Sequence, residues 1–249
     1  MPDPVARAIG EAVEALARAG IDVAALGLAW ARALPAVVLV PAFGLRALPA
    51  PSRAVIALAF AACIFPALGP TDLHVPSGLS VVAVVVAALI EVARGLPIAI
   101  AAAVPLWAAT MVGGVADALR ASQEQPTSPA VEGAATPMGV PLSLLASAIF
   151  LATGGPARVV TALAFRPAIG HPVLAAAEDL VGGIALAVAL GGPLLAAAVV
   201  IEIAGALVAR AASPAQVHTL IAPLRALATL AITGVVFERL AAALAEHLP

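Results

Sequence analysis

The apolar run 174–212 is interrupted by four charged side chains only, Glu178, Asp179, Glu202 and Arg210. It is far longer than the roughly 20 apolar residues that carry a helix across the hydrocarbon of a bilayer. Six further apolar runs occupy 23–45, 53–69, 79–93, 95–119, 138–164 and 215–243. Several are short, and most contain breakers: Pro35, Pro41, Pro66, Pro97, Pro105, Pro141 and the cluster Gly191-Gly192-Pro193. Proline removes a backbone hydrogen bond and kinks a helix. In lipid, that is tolerated only where protein or an aqueous cavity satisfies the freed groups. The pattern predicts an all-α, polytopic integral membrane protein of broken helices and helical hairpins. The run 174–212 is expected to form one long helix kinked at 191–193, with Glu178 and Asp179 outside the hydrocarbon.

Composition closes off the alternatives. Hydrophobic residues make up 63% of the chain and charged residues 10%, against about 25% charged in a soluble domain. A water-facing surface cannot be built from that. The net charge of −2 offers no basic field for nucleic acid. Every basic residue apart from histidine is arginine, so P-loop and Schiff-base chemistry have no lysine to use. The histidines are scattered, with no H-E-x-x-H, and no G-x-S-x-G elbow occurs. Cys63 stands alone in an apolar run and is expected to be a small buried residue. No cofactor, metal or catalytic constellation is implied.

The chain divides into an N-terminal segment 1–22, a membrane domain 23–243 and a short tail 244–249. In the first segment Val5, Ile9, Val13 and Leu16 recur at helical spacing, with charges on the other face. That predicts an amphipathic helix at an interface, with a solvated, partly ordered terminus as the alternative. Seven crossings with the N-terminus outside put Arg46, Arg53, Arg94, Arg158, Arg166 and Arg239 inside, against Arg7, Arg18, Arg120 and Arg210 outside. The positive-inside bias then gives an external N-terminus and a cytoplasmic C-terminus.

Charges within the runs are costly, about 2.5–3.5 kcal/mol each at a helix centre on the insertion scale. Arg32, Glu91 and Glu202 are the candidates. They could serve a proton or ion relay, or pair across helices and subunits to fix packing; a relay needs several aligned acids, which favours pairing. Arg210 is expected to be structural, a cation at the C-terminal end of a long helix. The polar interruption RASQEQPTSPAVEGAATP, 120–137, is either an exposed loop or a segment folded into a pore.

The ordered breakers resemble the FliR family of flagellar biosynthetic proteins and its injectisome relatives, SctT, over about residues 26–243. RALPAVVLVPAFG (32–44) holds Arg32 and Pro41, and PSRAVIALAFAACIFP (51–66) holds Arg53 and Pro66. EVARGLPIAIAAAVPLWAATMVGGVAD (91–117) is similar to the family's Glu-x-x-x-Gly-Leu opening, here Glu91 and Gly95, with Gly113 toward the helix end. TSPAVEGAATPMGVPLSLLASAIFLATGG (127–155) matches a polar loop followed by an apolar helix. PLLAAAVVIEIAGALVARAASPAQVHTLIAPLR (193–225) supplies Pro193, Glu202, Gly205, Arg210, Pro214, Gln216 and Pro223. The chain departs from the pattern at Asp117, Ala118 and Arg120, at Ala164-Phe165-Arg166, and at Ala215 after Pro214.

The resemblance implies a non-enzymatic subunit of a type III export gate in the bacterial inner membrane, within a secretion basal body. Its partners would be P-type (FliP/SctR) and Q-type (FliQ/SctS) subunits, with FlhB/SctU and FlhA/SctV proteins, membrane lipid and exported unfolded proteins. It also implies that the 120–137 loop plugs the pore, through Ser122, Gln123, Glu124, Gln125, Pro126, Thr127 and Ser128. The competing class is a secondary transporter of a small solute. That class predicts an internal repeat, and the two halves share no pattern of breakers or charges.

Overall fold

The computed structural model describes residues 4–43, 49–68, 73, 81–119, 136–165, 170–211 and scattered positions between 223 and 242. Seven α-helices are defined among them and no strand. Helix α1 is Pro4–Arg18, and α2, Val23–Leu39, begins at the cap Asp22, whose carboxylate accepts from Ala24 N at 2.8 Å and Ala25 N at 3.3 Å. Val40 leaves the helix in an extended conformation and Pro41 opens a short 3-10 turn, Pro41–Phe43. The residue before a proline is pushed out of the helical region, so α2 stops there. Helix α3, Ala50–Ile64, starts with Pro51 in its first turn, where the missing N–H costs nothing. It ends in a second 3-10 turn, Phe65–Ala67, holding Pro66.

The centre of the fold is α4, Val81–Leu119, 39 residues long and so about 58 Å at about 1.5 Å per residue. It packs against α2, α5, α6 and α7. Helices α5, Gly139–Ala152, and α6, Gly155–Phe165, are set at 65° across Thr153 and Gly154. The bend needs Gly154, whose φ is 79°. Helix α7, Pro172–Ala211, runs 40 residues with Pro193 inside it.

Small residues let α2 and α4 meet closely. Ala29, Ala33 and Ala36 of α2 and Ala99, Ala102, Ala103 and Ala109 of α4 are fully buried. At the closest point a Cβ on Gly95 would run into the Arg32 carbonyl oxygen. Without a strong hydrophobic drive between helices in lipid, such backbone approach is what supplies packing contact. Phe43 closes one end, meeting the Phe60 ring at 5.1 Å and the Phe150 ring at 5.9 Å, both edge-on. Trp30 Nε1 donates to the Ala54 carbonyl at 3.0 Å and ties α2 to α3.

Two expectations are corrected. The runs 79–93 and 95–119, counted as two crossings, are one continuous helix. Arg94 had suggested a break there, but its charge is met by Glu91 one turn earlier, so no loop is needed. Pro97 and Pro105 sit inside α4 without ending it. Among the described residues three helices are long and apolar enough to cross a membrane, Ala50–Ala67, Val81–Ala118 and Pro172–Val208, or four if the bent pair α5–α6 is one span. Counting α4 once leaves six apolar runs where the sequence count had seven. Lastly, Cys63 is exposed, because it lies off the α3 face that buries Ala57, Ala61 and Ile64.

Candidate functional site: a buried ion cluster and a pinned polar loop

Glu91 is 1% exposed, although it lies in one of the most apolar helices of the chain. Its neighbours explain how it is tolerated. Arg32 of α2 donates through Nε to Glu91 Oε2 at 2.6 Å, and Arg94 donates through Nη1 to Glu91 Oε1 at 2.6 Å. Arg32 also reaches the Leu163 carbonyl of α6 at 3.5 Å through Nη1. Both carboxylate oxygens are therefore committed to guanidinium donors, the strong, short form of hydrogen bond. The cluster joins α2, α4 and α6 at the level where Gly95 touches the α2 backbone. This is the geometry of a packing clamp. A relay would need an acid with an unengaged oxygen and a second acid in line.

A second buried acid, Asp117, is 1% exposed near the end of α4. Its Oδ2 accepts from Met138 N at 2.6 Å, just before α5. Met138 has no capping side chain of its own, so the cap comes across from the preceding helix and satisfies one of the orphan donors of the first turn. Thr136 Oγ1 accepts from Gly139 N at 3.0 Å and satisfies another. Beside them a Cβ on Gly113 would overlap the Gly139 backbone, so the α4 end and the α5 start are in direct contact. Residues 117 and 138 bracket the polar segment 120–137, and its two flanks are thus held at one place.

The remaining sequence candidates are dispersed. Pro41 is half-buried and Pro66 exposed in their 3-10 turns, and Arg53 is half-buried in the first turn of α3. Pro193, Glu202 and Arg210 are exposed on α7, with Gly205 half-buried between them. Glu202 stands among the exposed Val199, Val200 and Ile203. Pro223 is exposed. Pro214 and the plug candidates Ser122, Gln123, Glu124, Gln125, Pro126, Thr127 and Ser128 lie outside the described residues. The structure brings Arg32, Glu91 and Gly95 together, and sets Gly113 against the foot of the polar loop.

Sequence reasoning missed Arg94, Asp117 and Thr136. Arg94 was assigned to a loop, although Glu91 and Arg94 stand at i, i+3, the spacing of neighbours on a helix. Asp117 was noted as a departure from a glycine-rich pattern, with no sign in the sequence of the backbone it would cap. A comparison with family models matches residues 23–248 to the family described as bacterial export proteins, family 1. No individually curated protein matches the chain.

Proposed function

Since the chain belongs to the FliR/SctT family of bacterial export proteins, and is a multi-pass protein of the bacterial inner membrane, we propose that it is a non-enzymatic subunit of the type III export gate. In this reading it assembles with P-type (FliP/SctR) and Q-type (FliQ/SctS) subunits, alongside FlhB/SctU- and FlhA/SctV-type proteins, around a path for unfolded substrates.

The observation that carries the reading is the surface of α4 and α7. Val81, Val82 and Leu89 are exposed in the first part of α4, and Val181, Val188, Val200 and Leu207 along the 40 residues of α7. About 20 residues suffice to fill the hydrocarbon. The exposed apolar length of α7 exceeds that, and packed neighbouring subunits cover the excess. The buried clamp fits a scaffold role, since it fixes α2, α4 and α6 to one another. The pinned ends of the 120–137 segment support its reading as a plug: a closed loop on a fixed base can fill an opening without drawing on the helices.

Co-purification followed by native mass spectrometry tests this. A hetero-oligomer containing two different small membrane proteins is expected. A chain that purifies alone, or only with copies of itself, would count against the proposal.

A further inference from the structure

Helix α1 ends before residue 23, where the family match begins, so no role discussed above employs it. With about 100° of rotation per residue, Val5, Ile9, Val13 and Leu16 fall within about 80° of arc, and Arg7, Glu11, Glu14 and Arg18 within about 60° on the opposite side. Alanine and glycine fill the flanks. Val13, at one edge of the apolar arc, is 40% exposed, and α1 packs lightly on α2. A 15-residue helix is marginal in water by itself, where about 12–15 residues is the lower limit even for good formers. Such a helix needs an apolar surface to lie on.

The chain itself indicates which surface. Asp22 caps α2 with its carboxylate, and an ionised cap belongs at the aqueous edge of a membrane domain, outside the hydrocarbon. From Arg18 to Val23 the backbone spans at most about 18 Å. The end of α1 is therefore tethered beside the headgroup layer. Its charges are two arginines and two glutamates, which cancel, unlike the polybasic helices that seek anionic lipid.

We propose that α1 is an interfacial helix lying in the headgroup layer, with the helix face that carries positions 5, 9, 13 and 16 toward the acyl boundary, held by apolar insertion into neutral lipid. The proposal rests on the membrane location of the chain and is independent of the export-gate reading.

The test uses the full-length chain with Cys63→Ala in nanodiscs of pure phosphatidylcholine. Ile9→Cys, Val13→Cys, Glu11→Cys and Glu14→Cys are each labelled with an environment-sensitive fluorophore. Labels at 9 and 13 are expected to emit to the blue of those at 11 and 14. They should also be quenched several-fold more by doxyl-lipid and less by aqueous iodide, unchanged by high salt. Equal iodide quenching at all four positions overturns the proposal in favour of a solvated helix. Labels at 9 and 13 shielded from both quenchers overturn it in favour of a protein-covered face. A blue shift that appears only with anionic lipid overturns the neutral-insertion mechanism.

Discussion

Glu91 faces two guanidinium groups, and the imbalance ranks the substitutions that would damage the clamp. Removing one partner of a buried pair costs about 3–5 kcal/mol, because the other charge is left uncompensated. Glu91→Leu removes the one carboxylate that Arg32 and Arg94 share and so breaks both pairs, whereas Arg32→Met leaves Glu91 still bound to Arg94. We expect the thermal unfolding midpoint in a common detergent to fall further for Glu91→Leu. The reverse order would show that Arg94 contributes nothing. At the neighbouring position Gly95→Ala drives a methyl group into the Arg32 carbonyl. Overpacking costs about 1–3 kcal/mol, so the same assay should show a drop of that order. Arg32 and Glu91 were legible in the sequence as charges stranded in apolar runs. Arg94 was not, because the same charge marks a loop when unpaired and a helix interior when an acid stands one turn before it.

Proline shows the same ambiguity for whole elements. Pro41 ends α2, while Pro97 and Pro105 lie within α4 and Pro193 within α7. Among the described residues the apolar runs fall on helices, but whether a breaker ends one depends on the neighbours that take over its lost hydrogen bond, which no local window contains. The foot of the polar loop is a similar case, since Asp117 acts on a backbone amide of the next helix, Met138 N. Asp117→Ala is expected to cost at least the loss of a helix cap, about 0.5–2 kcal/mol. Limited proteolysis of the full chain should then cut faster within 120–137, while unchanged cutting would mean that Asp117 does not hold the loop base. Deleting Gln123 to Ala130 is expected to leave the assembly intact but let small ions leak across the membrane. A deletion variant as tight as the parent would return the loop to a solvated role.

For the molecule as a whole, single cysteines near residues 5 and 246, with Cys63→Ala, test the side on which each end lies. An external N-terminus and a cytoplasmic C-terminus predict labelling by an impermeant reagent from opposite sides. Labelling of both from one side would mean an even number of crossings and would overturn that orientation. The ordered breakers made the family readable over nearly all of the chain, and helical spacing made α1 readable, whereas the place of Arg94 in the clamp had to be seen folded. The exposed start of α4 also bears on how long the protein survives in the cell. Before its partners arrive, most of the rest of α4 is covered by the chain's own helices, but the exposed apolar stretch from Val81 to Ile90 has only lipid or water to face. On the export-gate reading, an orphan copy would display that stretch to quality-control proteases, so synthesis out of step with its partners would be corrected by degradation.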